Sequence, residues 1–335
     1  MKKIVFTLAL LCISISGFAQ TNEEAAAINK WIDVYAQLYE QKDWNKMVEQ
    51  AADCQKEAPS WEYLDYYLGV AYSNLGNNVN TINEMTDFIS KIDTVAAAFM
   101  IRGNAYVKEN DVKAALEDYN HVLKLNPKDI NAMIEKANIC LMQNDNEGYI
   151  ANLSDVISVE PNNIDALTNR GSTYARNKQF DLAIADFTAA INAKPNAESY
   201  LNRAKANFAL QTDESYLLAI ADCNEAEKLG VKDADLYTLR LACNQKMKKY
   251  AEMLKDYDNL LSSDTANMNL IYGRGVTKYQ MNDYKGAIAD MDTIIASDPN
   301  NVKAYQVRAT CKTKLKDTKG AQEDAKKVKE LQGIK

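Results

Sequence analysis

The five prolines of the chain are separated by multiples of 34 residues, apart from two additional residues in the last interval. Pro59, Pro127, Pro161, Pro195 and Pro299 are 68, 34, 34 and 104 residues apart, which is two, one, one and three steps of 34 with two residues left over. A proline lacks the backbone N–H and ends a helix, so prolines at a fixed interval mark repeated helix ends. The period therefore predicts an all-α protein of stacked repeats, in which each repeat buries its apolar face only against its neighbours.

The spacing divides most of the chain into nine repeats. They are predicted to start at residues 28, 62, 96, 130, 164, 198, 234, 268 and 302, and the ninth ends at Lys335. Residues 20–27 are expected to lead into the first repeat. The sixth repeat holds the two additional residues, near residues 211–215.

Each repeat shows the pattern of two amphipathic helices. In the fifth repeat, Leu167, Gly171 and Tyr174 form one apolar stripe at helical spacing, and Phe180 and Phe187 belong to a second stripe after a short polar break. Two stripes of this kind predict a helix, a tight turn and a second helix that packs on the first.

A column of small residues recurs in the first helix of the repeats. It holds Gly69, Gly103, Ala137, Gly171, Ala204 and Gly275, and alanines face it from the second helix at Ala115, Ala183, Ala219, Ala287 and Ala321. These features resemble the tetratricopeptide repeat. The resemblance implies a right-handed α-solenoid of nine helix-turn-helix units whose first helices line a concave binding groove. Tyr35, Tyr149 and Leu241 depart from the small-residue pattern, and wider helix spacing is expected there.

Two charged columns also follow the repeat. The base column comprises Arg102, Lys136, Arg170, Arg203, Arg240, Arg274 and Arg308, and the acid column comprises Glu84, Asp118, Asp186, Asp222, Asp256, Asp290 and Asp324. A planar guanidinium suits a half-buried carboxylate through paired hydrogen bonds. We interpret the columns as structural ion pairs, because a repeated pair aligns helices and a catalytic group stands alone.

The sequence leaves two ways to pair these columns. Each acid could meet the base of its own repeat or the base of the following repeat. The second arrangement is favoured because it supplies Glu84 with a partner. It predicts the pairs Glu84–Arg102, Asp118–Lys136, Asp186–Arg203, Asp222–Arg240, Asp256–Arg274 and Asp290–Arg308.

Polar and aromatic residues mark the outward surface of the first helices. We call this set the first-helix surface, and it comprises Tyr63, Tyr66, Tyr67, Met100, Asn104, Asn138, Met142, Asn169, Asn202, Lys205, Phe208, Tyr272 and Tyr279. Tyrosine and methionine suit a protein partner, and asparagine can bind an extended peptide backbone. The alternative for Tyr63, Tyr66 and Tyr67 is packing against the neighbouring repeat.

Little in the chain points to catalysis. There is one histidine, His121, no cysteine cluster with zinc spacing and no glycine-rich phosphate loop. The net charge of −7 disfavours nucleic acid as a partner. The sequence therefore predicts no enzyme, no metal and no cofactor, and favours an adaptor that binds a protein or peptide. A binder of envelope glycans or small ligands is the alternative, since tyrosines stack on sugar rings; the oligomeric state is left open.

The N-terminus has the pattern of a secretory signal peptide. Lys2 and Lys3 precede an apolar run over residues 4–15, and small residues end at Ala19. A bilayer needs about 20 apolar residues, so a membrane anchor is disfavoured. We expect residues 1–19 to be removed, the mature chain to have no membrane span, and the protein to be exported to the periplasm, the cell surface or the medium. Its five remaining cysteines are expected to be buried free thiols.

Overall fold

The computed structural model describes residues 22–333, and this part contains nineteen α-helices and no strand. The predicted all-α fold of repeated helix pairs is confirmed. The predicted signal peptide, residues 1–19, lies outside the described residues. The chain divides into two compact units, of which the first ends at Val159 and the second begins at Glu160.

The helices are numbered in chain order. The N-terminal unit contains α1 (Asn22–Gln41), α2 (Trp44–Glu49), α3 (Ala51–Glu57), α4 (Tyr63–Asn74), α5 (Asn78–Lys91), α6 (Ala96–Lys108), α7 (Val112–Leu125), α8 (Ile130–Met142) and α9 (Asn146–Val159). The C-terminal unit contains α10 (Ile164–Arg176), α11 (Phe180–Ala193), α12 (Ala197–Leu210), α13 (Asp213–Lys228), α14 (Ala234–Lys246), α15 (Tyr250–Ser263), α16 (Met268–Gln280), α17 (Tyr284–Ser297), α18 (Val302–Lys314) and α19 (Thr318–Leu331).

Short polar side chains begin most of the helices. The Asn163 side chain accepts a hydrogen bond from the backbone N–H of Ala166 at 2.9 Å, and Asp111 accepts one from Ala114 at 3.1 Å. Such caps satisfy backbone donors that have no partner inside the helix. They explain why Asp and Asn recur just before the apolar stripes.

A left-handed residue turns the chain between the two helices of every described repeat. These residues have φ between 53° and 75° and are Lys42, Gly76, Asn110, Asn144, Lys178, Gln211, Lys248, Asn282 and Lys316. Glycine and asparagine adopt this conformation readily, whereas lysine and glutamine do so at a cost. The turn geometry is therefore imposed by the packing of the helices on both sides.

The small-residue column lets the two helices of a repeat approach closely. A Cβ atom on Gly171 would lie 2.9 Å from the ring of Phe187, and one on Gly103 would lie 2.8 Å from the ring of Tyr119. Both rings are buried, with exposed fractions of 1% and 0%. The absent side chain thus makes room for a large ring from the second helix, and burial of that ring stabilises the pair.

Three helix starts differ from the predicted ones, and one of them is that of α4, which begins at Tyr63 and not at residue 62. Helix α12 begins at Ala197, one residue before the expected start at 198, because the Asn196 side chain caps it through the Ser199 N–H at 2.8 Å. The first helices of the fifth and seventh repeats begin at Ile164 and Ala234, as expected. At the N-terminus, α1 begins at Asn22, within the segment expected only to lead into the first repeat.

The five cysteines within residues 22–333 are free thiols, and all of them except the half-buried Cys140 are buried. Burial raises the pKa of Cys54 and Cys223 to about 12 and that of Cys243 to about 11. Among residues 22–333, no helix has both the length and the apolar composition that crossing a membrane requires.

Candidate functional site

Each arginine of the base column pairs with the acid of its own repeat. Arg102, Arg170, Arg203, Arg274 and Arg308 use Nε and Nη2 to reach the two carboxylate oxygens of Asp118, Asp186, Asp222, Asp290 and Asp324, at 2.6–3.2 Å. Arg240 pairs with Asp256 in the same way except that both donors reach one oxygen. These are charge-assisted, bidentate bonds, and the acids are buried.

The pairing between repeats that we favoured from the sequence is wrong. Glu84–Arg102, Asp118–Lys136, Asp186–Arg203, Asp222–Arg240, Asp256–Arg274 and Asp290–Arg308 do not form, since the arginines in these pairs meet the acid sixteen or nineteen residues later. The two helices of one repeat bring the base and acid columns face to face. The acid of the preceding repeat is already engaged by its own arginine.

The arginines nevertheless join consecutive repeats through a different column. The third guanidinium nitrogen, Nη1, donates to the preceding second helix, at Thr86, Thr188, Asn224, Asp258 and Asp292, over 2.6–3.1 Å. We call these acceptors the bridging column. The bridging column is not among the columns predicted from the sequence, although its residues lie two positions after the acid column and are all polar. Each such arginine therefore holds its own repeat together and binds the one before it.

Glu84 and Lys136 lack the expected partners. Neither forms an ion pair within residues 22–333, and Asn152 occupies the acid column of the Lys136 repeat. Glu84 is half-buried, and burial, assisted by Asp65 and Asp87, raises its pKa to about 7. The charged columns are thus incomplete in the second and fourth repeats.

The tyrosines of the fourth helix pack into the body of the N-terminal unit. The ring centroid of Tyr66 lies 5.2 Å from that of Phe88, and the centroid of Tyr67 lies 5.6 Å from that of Trp61. Tyr63 also contacts Phe88, at 5.3 Å, and all three tyrosines are half-buried. Burial raises the pKa of Tyr66 well above its usual range. These contacts support the packing alternative over a free binding surface.

Other predicted surface residues also contact the protein itself. The Tyr119 hydroxyl donates to Asn104 Oδ1 at 2.7 Å, and the ring of Phe208 lies 5.6 Å from that of Tyr216. Half-buried members of the first-helix surface are Met100, Asn104, Asn202, Phe208, Tyr272 and Tyr279, and exposed members are Asn138, Met142, Asn169 and Lys205. The accessible part of this surface is therefore more polar than the sequence suggested.

One exposed asparagine lines a cavity in the C-terminal unit. Asn169 and Thr168 on α10 face a space of about 350 Å³, which is closed on the other side by residues that connect α11 to α12. Asp165, Lys194, Asn196 and Glu198 also line it, together with Ile164. The cavity combines an amide, a hydroxyl, carboxylates and an ammonium, so it can both donate and accept hydrogen bonds.

Nothing in residues 22–333 forms a group of three or more histidine, cysteine, aspartate or glutamate side chains placed to hold a metal ion. The single histidine, His121, stacks on Phe99 with ring centroids 4.2 Å apart and an interplanar angle of 9°. A histidine that covers an apolar ring contributes to packing.

Comparison with known proteins identifies the repeat. A family model for the tetratricopeptide repeat matches residues 96–129 and 164–196. A search of curated proteins found no match.

Solved structures resemble the chain at low identity. The C-terminal part of a tetratricopeptide repeat-containing protein from Cytophaga hutchinsonii is 18% identical, with 82% of this chain and 98% of that chain covered and a TM-score of 0.55. A tetratricopeptide repeat protein from Parabacteroides merdae is 18% identical, covering 70% of this chain and 93% of that chain, with a TM-score of 0.45. At these identities the likeness concerns the fold alone, and only the first score is high enough to support it.

Proposed function

The chain is built from tetratricopeptide repeats, and from this premise we propose that it is a non-enzymatic scaffold or adaptor that binds a protein or peptide along its first helices. Stacked repeats of this kind provide an extended surface and no enclosed reaction chamber. The partner is a chain in extended conformation, which is recognised chiefly through its backbone amides.

The cavity beside Asn169 carries this proposal. The Asn169 side chain is exposed, and an asparagine amide can donate to a peptide carbonyl while it accepts from a peptide N–H. Lys194 and the carboxylates of Asp165 and Glu198 line the same space, so charged side chains of a ligand can also find partners. A cavity of about 350 Å³ has the size of a pocket for one or two residues.

The glycan-binding alternative receives less support. It depended on tyrosine faces for stacking, and the rings of Tyr63, Tyr66 and Tyr67 are covered by each other and by Phe88, Tyr35 and Trp61.

Export belongs to the proposal as well. It depends on the N-terminal sequence, where two lysines precede a short apolar run and a small-residue cut after Ala19. Loss of this segment changes the net charge from −7 to −9, because it carries two lysines and no acid. The partner is therefore expected among proteins of the periplasm, the cell surface or the medium.

A peptide-display experiment with the chain from Gln20 to Lys335 tests the binding surface. Peptides that the wild-type chain selects are measured against Asn169→Leu and against Asn192→Leu, a matched change at an exposed site on α11. Loss of the hydrogen bonds from Asn169 should weaken binding about tenfold, with little change for the control. Equal affinities of the two variants would contradict the assignment of this surface.

A further inference from the structure

A second cavity lies between the second helix of the sixth repeat and both helices of the seventh. It measures about 540 Å³, and its walls come from α13, α14 and α15. Arg240, Asn244 and Asp256 form its inner wall, and Glu227, Lys249 and Glu252 lie around it. None of these residues belongs to the first-helix surface, so this cavity is separate from the proposed peptide site.

Asn244 carries a buried acceptor without a donor. Only 1% of the residue is exposed, and its Oδ1 atom has no hydrogen-bond partner. The amide cannot be turned over to relieve this, because Nδ2 faces Asp256 Oδ2 at 3.4 Å and the reverse orientation would place two oxygens together. A buried carbonyl without a donor destabilises the fold, because it has lost its hydrogen bonds to water, and such groups call for an explanation.

The next two repeats show what fills the equivalent place. Lys278 and Lys312 stand there, 34 and 68 residues after Asn244. Their ammonium groups bind Asp290 Oδ2 and Asp324 Oδ2, each at 2.9 Å. In both repeats the carboxylate is shared between a guanidinium and an ammonium, so the geometry accommodates two cations on one acid.

The seventh repeat has the same acid without the ammonium. Both short bonds from Arg240 reach Asp256 Oδ1, at 3.0 and 2.7 Å, which leaves Oδ2 with only the long contact to Asn244. Two acceptor oxygens, Asp256 Oδ2 and Asn244 Oδ1, therefore lack strong donors, and both residues line the same cavity. A ligand that satisfies both must donate at least two hydrogen bonds.

We propose that this cavity binds an alkylammonium group, which occupies the place that the ammonium groups of Lys278 and Lys312 take in the following repeats. The ammonium donates to Asp256 Oδ2 and Asn244 Oδ1, and its alkyl chain extends past Ile220 toward solvent. Free amines and lysine side chains share this chemistry.

The surrounding charges fit a cation. Glu227 is bound to Arg240 at 2.6 Å, and Glu252 is bound to the exposed Lys255 at 2.9 Å. Glu252 and Lys255 balance each other, whereas the single positive charge of Arg240 is shared by the carboxylates of Glu227 and Asp256, so negative charge is in excess at the inner end of the cavity. The pKa of Asp256 is raised by burial, whereas that of Asp324, which has both Arg308 and Lys312, is lowered. Asp256 is bound by one cationic side chain, and Asp324 is bound by two.

Nuclear magnetic resonance of the chain from Gln20 to Lys335 tests the proposal. The side-chain amide signals of Asn244 are followed during titration with pentylamine, with N-acetyl-lysine amide and with N-acetyl-norleucine amide, which lacks the ammonium. The same titrations are made with Asn244→Lys, which supplies the ammonium from the chain itself, and with Asn244→Leu, which removes the acceptor. Binding to these variants is followed through backbone amides of α14 and α15.

Saturable shifts with one or both amines, and none with the norleucine derivative, are the expected result. Both variants should bind at least about tenfold more weakly. Asn244→Lys should also unfold at a higher temperature than the wild type, because it completes the pair seen in the next two repeats. Response to pentylamine alone assigns the site to free amines, and response to the lysine derivative alone assigns it to a lysine side chain.

Three results would overturn the proposal. They are the absence of a saturable shift with either amine, an equal response to the norleucine derivative, and undiminished binding by Asn244→Lys. Since the neighbouring repeats fold with lysine in this place, the last variant remains informative about binding.

Discussion

Arg240 gives two hydrogen bonds to a single oxygen of Asp256, from Nε at 3.0 Å and from Nη2 at 2.7 Å. Its Nη1 atom binds Asn224 and Glu227 of the preceding repeat, at 2.7 and 2.6 Å. One guanidinium is therefore shared by two carboxylates and connects two repeats, and it lies over the ring of Tyr237 as well.

Replacement of Arg240 by leucine should destabilise the C-terminal unit. The variant leaves the Asp256 carboxylate buried without a cation, and breaking one partner of a buried pair costs about 3–5 kcal/mol. Thermal unfolding and hydrogen exchange of the amides in α14 and α15 report the loss. Lys228→Ala, which removes an exposed ion pair, serves as the control and should leave both measurements unchanged. A wild-type melting temperature for Arg240→Leu would show that the pair has no structural role.

Glu84 should make the stability of the N-terminal unit depend on pH. Its pKa of about 7 in the fold lies above the value of 4.5 for a free side chain, so the fold favours the uncharged form. The associated stability is present below about pH 4.5 and is lost as the pH rises through about 7.

Glu84→Gln should therefore match the wild type at about pH 4 and exceed it at about pH 8. After allowance for solvent screening, the gain is about 1–2 kcal/mol. Unfolding temperatures at a series of pH values measure it, with the exposed Glu117→Gln on α7 as the control. A difference that stays constant across the series would exclude the titration of Glu84 as the cause.

Gly171→Ala should lower the free energy of unfolding more than Gly69→Ala does. The new methyl group would meet Phe187 at 2.9 Å and Asp186 Cβ at 3.1 Å, and neither can move without disturbing the core. We expect a loss of about 1–3 kcal/mol. At Gly69 the nearest atoms are Cε and Cγ of Met85, at 2.7 and 2.9 Å. They belong to an unbranched side chain that adapts more readily than a ring, and the higher helix propensity of alanine offsets part of the adjustment. Chemical denaturation of both variants tests the ranking, and equal losses would contradict it.

Replacement of Lys178 by glycine should stabilise the protein. This residue has φ of 60°, a conformation that disfavours side chains with a Cβ atom. Lys178→Gly is expected to raise the free energy of unfolding by about 0.5–1 kcal/mol. The same replacement at Lys205, in the interior of α12, should lower it by about 1 kcal/mol. Urea midpoints of the two variants should therefore move in opposite directions.

The helices were predictable because their signals are local. Prolines and apolar stripes report where the backbone stops and which side is buried, and first helices begin at the expected residues 96, 130, 164, 234, 268 and 302. The first helices of the second and sixth repeats begin at residues 63 and 197, each one residue from the predicted start. Spacing constrains the combined length of the fifth and sixth repeats, whereas the boundary between them depends on the Asn196 cap.

Contacts between helices were less accessible to sequence reasoning. Ion pairs within one repeat and ion pairs between consecutive repeats would both use the acid and base columns. The sequence alone therefore does not distinguish these two arrangements. Glu84 favours the incorrect pairing between repeats, because a half-buried acid is expected to have a cationic partner. The structure accommodates this acid without one, and burial raises its pKa. Similarly, Tyr66 has the same helical position whether it faces solvent or Phe88, and only the packing of three helices decides between these.

The bridging column has a mechanical consequence. Within the C-terminal unit, an arginine donates a hydrogen bond across each described interface between consecutive repeats. The acceptors are Thr188, Asn224, Asp258 and Asp292. In the N-terminal unit, Arg102 donates a hydrogen bond to Thr86 of the preceding repeat, while Lys136 makes no such bond among the described residues. We therefore expect the C-terminal unit to behave as a stiff rod. Within the N-terminal unit, bending is expected at the interface between the third and fourth repeats, because Lys136 makes no hydrogen bond across it among the described residues.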